Sequence, residues 1–360
     1  MTTPVGNMEA VVYHGRGDVR VERRPIPIAA EGQALVKVLR SGICGTDATE
    51  WKSGPIIFPI DRVHPNSGHT GPLIIGHEFV GEIVDLPDGP VDGLQVGDPV
   101  ASGAGVSCGE CDRCVEGRTN LCARYATHGL NADGGLAEYV AVETSTLVRI
   151  PDGCSLDDAG VAQPLAVGLH AARRAGARDG DHVILFGAGA IGTFILAGLV
   201  SLVDADITVV DFAGERLERA QRLGATRTVP VDADLLPTLR EIVGSAGADI
   251  VIEATGAPGQ LSNALDLVRQ GGTILGVGLP SAHQDLDVHR LVMNEVTITT
   301  TVAHVCDEDL GPALEILATT DLGDELVEAV YPLAEVPHQL ARLANGEIRG
   351  KVLFDPTRSS

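Results

Sequence analysis

The sequence predicts an α/β protein of two domains, one mostly β and the other built on a doubly wound parallel sheet. Short β-branched runs separated by turn residues fill the first part of the chain, and apolar runs alternate with helical patterns in its middle part. A chain of 360 residues is long for one hydrophobic core and is sufficient for two. The predicted domains cover 1–164 with 302–360, and 165–301.

The predicted β domain begins with three apolar runs, at 10–13, 34–38 and 79–84. Gly, Pro and Asp residues lie between these runs, as expected for strands joined by turns. Beyond about residue 300 the sequence predicts two helices and a closing strand, at 310–318, 336–344 and 351–354. This last segment is too short to form a domain, so we expect it to return to the β domain.

The predicted parallel sheet is indicated by an alternation of strands and helices. Its elements are a strand at 183–186, a helix from Ala190, a strand at 207–210, a helix over 216–223, and strands at 250–252 and 273–277. Strands that alternate with helices in this way form parallel sheets with right-handed crossovers.

The charge of the chain excludes some classes of partner. The formal net charge is -23, whereas nucleic acids and anionic membranes bind proteins through a basic face. The first fifteen residues show no basic region followed by an apolar stretch, and no run of about 18 or more uncharged apolar residues occurs. We therefore expect a cytoplasmic protein that binds neither nucleic acid nor membrane.

Four cysteines form a cluster with metal-ligand spacing, C-x2-C-x2-C-x7-C, at Cys108, Cys111, Cys114 and Cys122. Zn²⁺ prefers tetrahedral thiolate coordination, and four Cys ligands leave no open position, so the pattern predicts a structural zinc lobe over about 103–126. Ferredoxin clusters begin with the same spacing, but their fourth Cys follows after three residues and precedes Pro. Two disulfides or four unrelated thiols are the alternatives, and the expected cytoplasmic location disfavours disulfides.

A glycine-rich turn follows the first strand of the predicted parallel sheet. Gly187 permits a tight turn, Gly189 lets the backbone approach a pyrophosphate, and Gly192 lets the helix pack on the strand. The second strand ends at Asp211, whose carboxylate can accept hydrogen bonds from the ribose hydroxyls of NAD and would repel the 2′-phosphate of NADP. The alternative is an ordinary turn with helix-packing glycines.

The predicted NAD site includes four further residues, which are Ala190, Ile191, Arg216 and Val277. Arg216 follows Asp211 closely enough to permit some use of NADP. We expect NAD to be the preferred cofactor.

A second set of metal-binding residue types lies upstream, with Cys44 in one motif and His77 and Glu78 in another. Taken singly, such residues are more often a small buried thiol and a hydrogen-bonded histidine than metal ligands. Their combination with the four-Cys lobe and the nucleotide-binding turn favours a second metal site.

Several ordered motifs identify a family. These are CGTD at 44–47, GHEFVGEIV at 76–84, the four-Cys lobe, GGLAEYV at 134–140, QPLAVGLHA at 163–171, GAGAIG at 187–192 and GKVLFDP at 350–356. Over essentially its whole length the chain resembles the zinc-containing medium-chain dehydrogenase/reductase family, and within it the polyol and butanediol dehydrogenase branch. The resemblance implies a GroES-like catalytic domain, a Rossmann NAD-binding domain and two Zn²⁺ per chain.

The resemblance also implies the ligands of a catalytic zinc. Cys44 and His77 match two ligands, and Glu78 matches the adjoining carboxylate, which binds the metal or stands just behind it. Gln163 occupies a position where this branch usually has Glu. Glutamine can coordinate through its carbonyl oxygen and leaves the site one charge more positive. Alternatively, Gln163 holds zinc poorly and Glu78 becomes the working ligand.

Thr46 matches the family hydroxyl that hydrogen-bonds the substrate oxygen and passes its proton along a relay. Many relatives complete the relay with a His shortly after this hydroxyl, but residues 46–51 contain none. The proton could instead leave through the cofactor ribose and water, or through Glu50.

These features predict a zinc-dependent NAD alcohol dehydrogenase that interconverts a secondary alcohol and a ketone in a cleft between the domains. The branch resemblance suggests a small polar substrate, namely a polyol, a vicinal diol or a sugar-derived alcohol. Ketone reduction, or primary- or amino-alcohol oxidation in a biosynthetic pathway, is an alternative. A non-catalytic nucleotide-binding protein that has lost its zinc is another, supported by Gln163 and the missing His. We expect a homodimer or homotetramer, with 297–302 as a candidate edge strand.

Overall fold

The computed structural model describes residues 4–280 and 282–358. It divides into two compact units, one comprising the chain up to Gln163 and from Val305 onward, and the other Pro164–His304. The domain limits predicted from the sequence stay predictions, and their outer ends, at 1–3 and 359–360, lie outside the described residues.

The first unit is mostly β before its chain enters the second. Its elements are β1 (Asn7–Gly15), β2 (Asp18–Pro25), β3 (Gln33–Gly42), α1 (Gly45–Ser53), β4 (Leu73–Ile74), β5 (Glu78–Asp85), β6 (Pro99–Ser102), β7 (Gly105–Val106), α2 (Asp112–Val115), β8 (Ala126–Thr127), β9 (Tyr139–Glu143), β10 (Leu147–Arg149) and α3 (Leu156–Ala159). Two 3-10 helices lie at Thr119–Leu121 and Thr144–Thr146.

The second unit alternates strands and helices, and the chain then returns to the first. The elements are α4 (Ala162–Ala175), β11 (His182–Phe186), α5 (Ala190–Leu202), β12 (Asp206–Asp211), α6 (Glu215–Arg222), β13 (Arg227–Pro230), α7 (Leu235–Val243), β14 (Ala248–Glu253), α8 (Gln260–Leu267), β15 (Val268–Gly276), α9 (Val288–Met293), β16 (Thr297–Thr300), α10 (Cys306–Thr319), α11 (Leu322–Leu326), β17 (Val327–Pro332), α12 (Val336–Ala344) and β18 (Lys351–Asp355). A 3-10 helix lies at Leu333–Glu335.

The main sheet of the first unit has the strand order β10-β6-β5-β3-β18-β17, and β9 also pairs with β3. The strand β18 runs antiparallel to β3 and parallel to β17, so this last segment contributes a strand to the sheet of the first unit. Because β18 lies inside the sheet, all five of its residues are buried, including Lys351. Two smaller sheets, β2-β1-β4 and β7-β8, complete the unit.

The sheet of the second unit has the order β13-β12-β11-β14-β15-β16, and every pair of neighbours is parallel. In chain order this is 3-2-1-4-5-6, the doubly wound order of dinucleotide-binding folds. Alternate residues of β11 face opposite sides: Val183 and Leu185 pack in one core cluster, and Ile184 and Phe186 pack in another. Burial on both faces explains why this strand is a continuous apolar run.

The predicted fold class is therefore confirmed. The elements of the second unit that the sequence analysis did not identify include β13 and the helices α7, α8 and α9. The strand β13 has four residues and only one of them is buried, so it carries no apolar run. Within 4–280 and 282–358, no helix is long and apolar enough to cross a membrane.

Candidate active site

Three side chains with metal-ligating atoms meet at one end of the main sheet. Cys44 is the N-cap of α1, just after β3, and His77 immediately precedes Glu78, the first residue of β5. Antiparallel pairing places Gly42 opposite Glu78, so the two segments lie side by side. The ligand atoms of Cys44, His77 and Glu78 all lie within 4.8 Å of one another. The structure thus brings together three of the four residues predicted for the catalytic metal.

The backbone before His77 is fixed by a glycine. Gly76 has a φ of +99°, in the region that favours glycine, and a Cβ there would lie 2.7 Å from Leu136. Its carbonyl oxygen accepts a hydrogen bond of 2.8 Å from the N–H of Gly135. The glycine-rich segment GGLAEYV therefore supports the ligand-bearing turn.

Asp47 lies behind His77. Its Oδ2 accepts a hydrogen bond of 2.8 Å from the N–H of Cys44, and its Oδ1 lies 3.7 Å from Nδ1 of His77. Burial raises the pKa of Asp47 to about 7, although the nearby His77 lowers it. Among the described residues, neither Oδ1 of Asp47 nor Nδ1 of His77, both of them buried, has a hydrogen-bond partner. A carboxylate thus lies beside the ring of His77, as is common behind histidines that bind metals.

Glu78 is held by a lysine that the sequence analysis missed. The Nζ of Lys351 lies 2.5 Å from Oε1 and 2.6 Å from Oε2 of Glu78, and 3.3 Å from the carbonyl oxygen of Ile43. Burial would lower the pKa of Lys351, but the charges of Glu78 and Cys44 outweigh it and raise that pKa. Burial raises the pKa of Cys44, and Glu78 raises it further, whereas Lys351 lowers it.

The remaining predicted residues of this site occupy α1 and α4. The hydroxyl of Thr46 lies 4.0 Å from Sγ of Cys44. Gln163 is the second residue of α4 and is partly buried, and its role as a metal ligand stays a prediction.

Glu50 has a structural role. Its carboxylate accepts hydrogen bonds from the N–H groups of Ile56, at 2.9 Å, and Ile57, at 2.6 Å. Its backbone carbonyl accepts one of 2.9 Å from the hydroxyl of Tyr13. Glu50 is buried, so these contacts anchor the loop after α1 to the first unit.

The four cysteines of the predicted lobe also come together, around α2 and the 3-10 helix that follows it. The Sγ–Sγ distances are 3.6 Å for Cys111–Cys114, 3.9 Å for Cys111–Cys122 and 4.0 Å for Cys108–Cys114. A tetrahedral site with Zn–S bonds of about 2.3 Å requires sulfurs about 3.8 Å apart. The donor set and its spacing fit a four-thiolate zinc site.

Polar groups around this cluster hydrogen-bond its sulfur atoms and favour the thiolate form of Cys108. The N–H groups of Cys108 and Arg124 each lie 3.2 Å from Sγ of Cys122. The N–H of Glu110 and the side chain of Arg124 hydrogen-bond Cys108 and lower its pKa to about 5. A thiolate is the form of cysteine that binds metal.

The glycine-rich turn of the second unit has the geometry of a nucleotide cradle. Gly187 follows β11 with a φ of +99°, and a Cβ at Gly192 would collide with the carbonyl oxygen of Gly187. In contrast, a Cβ at Gly189, the N-cap of α5, would meet no atom within 4 Å. Tight packing on one side and open space on the other fit a backbone that approaches a pyrophosphate. Ala190 and Ile191 form the first turn of α5.

Asp211 lies at the end of β12, against this turn. Its Oδ2 accepts a hydrogen bond of 2.7 Å from the N–H of Ala188, and its Oδ1 accepts one of 2.7 Å from Phe212. Arg216 lies nearby, with its Nη1 3.8 Å from Oδ2 of Asp211. Val277, just after β15, donates its N–H to the carbonyl oxygen of Glu253 at 2.8 Å. The structure therefore brings Asp211 and Arg216 to the glycine-rich turn.

Comparisons with known proteins match both units. The model of the alcohol dehydrogenase GroES-like domain matches residues 30–152, and the model of the zinc-binding dehydrogenase matches residues 190–319. Sorbitol dehydrogenase of Bacillus subtilis is 35% identical over 298 residues, which cover 81% of each chain. (R,R)-butanediol dehydrogenase of Bacillus subtilis is 31% identical over 309 residues, which cover 85% of this chain and 87% of that protein. 

A solved structure shows the same likeness in three dimensions. The crystal structure of 2R,3R-butanediol dehydrogenase from Bacillus subtilis superposes with a TM-score of 0.88 at 28% identity. The superposition covers 97% of this chain and 100% of that one.

Proposed function

The chain belongs to the zinc-type alcohol dehydrogenase family, and from this premise we propose that it interconverts a secondary alcohol and a ketone with NAD. Polyols and vicinal diols are the proposed substrate class, in line with the sorbitol and butanediol dehydrogenases among its relatives. The observation that carries the proposal is the meeting of Cys44, His77 and Glu78 beside the hydroxyl of Thr46.

The residues present fit a catalytic zinc. Cys44 and the His77 ring would hold it, with Gln163 as a further ligand, and Asp47 supports the orientation of His77. When bound, the ion supplies a Lewis acid that polarises the substrate oxygen.

The protein's own groups would orient the substrate and move its proton. Thr46 is a hydroxyl that can both accept and donate, so it would accept the alcohol proton during oxidation and donate one during reduction. Because both carboxylate oxygens of Glu50 are occupied by N–H groups, Glu50 is a poor next acceptor. Of the two routes predicted for the proton, the one through Glu50 is therefore disfavoured.

The nucleotide site favours NAD. The glycine-rich turn would bind the pyrophosphate, and when bound the nicotinamide supplies the hydride acceptor. Asp211 is 6% exposed and is already oriented by two backbone N–H groups, so its carboxylate is preorganised for ribose hydroxyls. The negative charge of Asp211 opposes binding of a 2′-phosphate. Arg216 would attract that phosphate and so reduce the preference for NAD over NADP.

The four-Cys lobe would hold a second, structural zinc, because its four thiols fill a tetrahedron and leave no position for substrate. We also propose a homo-oligomer in which β16 pairs with its copy across a two-fold axis. Within the part of the chain that the structure describes, β16 is an edge strand of the parallel sheet and pairs only with β15. Its Ile298 is exposed, as are Val292 and Met293 on the preceding helix α9.

Elemental analysis of protein purified without chelator, together with NADH formation on a panel of diols and polyols, tests the proposed function. We expect two zinc ions per chain and turnover with substrates that have neighbouring secondary hydroxyls. One zinc per chain and no turnover would indicate instead that the site with Gln163 does not hold zinc and that the chain binds nucleotide without catalysis.

A further inference from the structure

Lys351 is an unusual residue for its position. The sequence contains three lysines, Lys37, Lys52 and Lys351, and its other basic side chains are arginines. Lys351 begins β18 inside the main sheet and is 6% exposed. A buried lysine is costly unless its charge is paired and its hydrogen bonds are satisfied. Its contacts therefore deserve a functional explanation.

The contacts of Lys351 use its full hydrogen-bonding capacity. An ammonium group has three N–H donors. Three acceptors surround Nζ: Oε1 and Oε2 of Glu78, at 2.5 and 2.6 Å, and the carbonyl oxygen of Ile43, at 3.3 Å. Glu78 is 1% exposed, so the pair is shielded from water and from salt.

These acceptors belong to the two segments that carry the proposed zinc ligands. Ile43 immediately precedes Cys44, and Glu78 immediately follows His77. The space beside the carboxylate is also closed, because a Cβ at Gly42 would lie 2.6 Å from Oε2 of Glu78. The carboxylate is thus fixed on one side by an ammonium group and on the other by backbone.

We propose that Lys351 is a positioning residue that holds the Glu78 carboxylate outside the coordination shell formed by Cys44 and His77. The inference rests on the proposed catalytic metal and decides between the two ligands left open by the sequence: Gln163 joins the shell, and Glu78 does not. Lys351 also keeps one position of the shell free for the substrate, because a carboxylate ligand would compete for it.

Removal of the ammonium group would change the preferred partner of Glu78. The carboxylate would be left buried with no cation to pair, which is the costly state of a broken buried ion pair. An oxygen of Glu78 already lies within 4.8 Å of the ligand atoms of both Cys44 and His77. In Lys351→Met the carboxylate should therefore turn toward the metal and bind it.

The first measurement is the absorption spectrum of the cobalt(II)-substituted protein, whose d–d bands report the number and type of ligands. Cobalt-loaded Cys44→Ser, which keeps the four-Cys site, supplies the spectrum to subtract. We expect Lys351→Met to weaken and shift the bands of the catalytic ion, and Lys351→Met/Glu78→Gln to restore them. Lys52→Met, at an exposed lysine of α1, is the matched control and should keep the wild-type spectrum.

The second measurement is zinc affinity, by competition with a chelator. An added carboxylate ligand should make Lys351→Met bind the catalytic zinc roughly 10-fold more tightly, within the range by which neighbouring groups alter metal sites. A merely structural role for Lys351 predicts the reverse, a weaker site with an unchanged cobalt spectrum, and that result would overturn the proposal.

Glu78→Gln alone keeps the proposal testable if Lys351→Met does not fold. Because Glu78 lies outside the shell, this variant should keep the wild-type cobalt spectrum. A changed spectrum in Glu78→Gln would show that Glu78 is a ligand in the wild-type protein and would refute the role of Lys351. Wild-type protein that takes up metal only in its four-Cys site would contradict the proposed function itself, and the role of Lys351 with it.

Discussion

The imidazole of His128 lies 2.5 Å from the Glu143 carboxylate, measured from Nε2 to Oε2. Its other nitrogen, Nδ1, lies 3.0 Å from the carbonyl oxygen of Asp133. Both ring nitrogens of the buried His128 therefore lie within hydrogen-bond distance of an oxygen. The pair ties β9 to the segment 128–135, whose Gly135 hydrogen-bonds the carbonyl oxygen of Gly76, next to His77.

This pair predicts a stability that depends on pH. Burial would raise the pKa of Glu143, but the hydrogen bond and charge of His128 bring it down to about 2. A carboxyl group whose pKa is lowered by folding contributes stability that is fully present above its unfolded value of about 4.3 and is lost as the pH falls toward the folded value. Denaturant unfolding between pH 7 and pH 3 should show this loss.

His128→Gln should remove that contribution. We expect the free energy of unfolding at pH 7 to fall by about 2 kcal/mol, as for a hydrogen bond to a charged group, and its decrease toward pH 3 to become shallower. His338→Gln is the control, because His338 forms an exposed pair with Glu335. Equal pH profiles for wild-type protein and His128→Gln would contradict the assignment.

Cys44→Ser should remove one metal ion per chain and abolish turnover. The variant loses a thiolate from the catalytic group but leaves the four-Cys cluster and the nucleotide site intact. Elemental analysis, NADH formation and NAD binding by fluorescence check the three parts of this prediction. Cys154→Ser, at a thiol outside both clusters, should keep both metal ions and full turnover. Unchanged turnover in Cys44→Ser would remove the catalytic-zinc hypothesis.

Asp211→Ala should weaken NAD binding about 10- to 100-fold, which corresponds to the roughly 1.5–3 kcal/mol of a hydrogen bond to a charged group. NADP binding should weaken less, because the same change removes a charge that repels the 2′-phosphate. Titration of both cofactors measures the difference. Asp204→Ala, at an exposed acid before β12, controls for the loss of charge alone. An equal loss for NAD and NADP would rule out the ribose role.

Arg124→Gln should loosen the structural zinc. The Arg124 side chain pairs with Glu110 and hydrogen-bonds Cys108, so it offsets part of the negative charge of four thiolates. We expect a chelator to remove this zinc about 10-fold faster, as for other groups that support metal ligands. Release measured in the Cys44→Ser background follows only the four-Cys site. Arg113→Gln, at an exposed Arg113–Glu116 pair of the same lobe, should release zinc at the wild-type rate.

Ile298→Lys should disrupt the proposed assembly. A charged side chain on an edge strand opposes pairing of that strand with a second copy. Light scattering after size-exclusion chromatography should show a smaller particle for this variant. Val115→Lys, at an exposed apolar residue of the four-Cys lobe, should keep the wild-type mass. A wild-type mass for Ile298→Lys would indicate that oligomers form through another surface.

The features that could be predicted from local sequence patterns are those that depend on residues close together in the chain. The apolar run of β11 and the glycine turn after it share one local pattern, and the spacing of the four cysteines is likewise local. The βαβ alternation indicated a parallel sheet with right-handed crossovers, but not the order of its strands. Local patterns therefore sufficed for the fold class and for the four-Cys cluster, whereas the group of Cys44, His77 and Glu78 was predicted from the resemblance to a family.

The features that the sequence did not predict depend on distant partners. Lys351 and Glu78 are 273 residues apart in the chain, and no periodicity connects them. One signal was available: a lysine begins a strand that is otherwise almost entirely apolar, in a chain with few lysines. The His128–Glu143 pair could not be predicted from the sequence either, since each residue alone is typical of a polar loop or of the end of a strand.

The position of β18 has a consequence for the order in which the protein can be made. This strand lies inside the main sheet, between β3 and β17, yet in chain order it follows all the other strands of that sheet. The second unit, Pro164–His304, is complete in sequence well before that point. A nascent chain can therefore form its parallel sheet while the main sheet of the first unit still lacks the strand between β3 and β17. Lys351 can reach Glu78 only after β18 has been synthesised, so this ion pair forms later than the parallel sheet can, and a chain truncated before β18 lacks it.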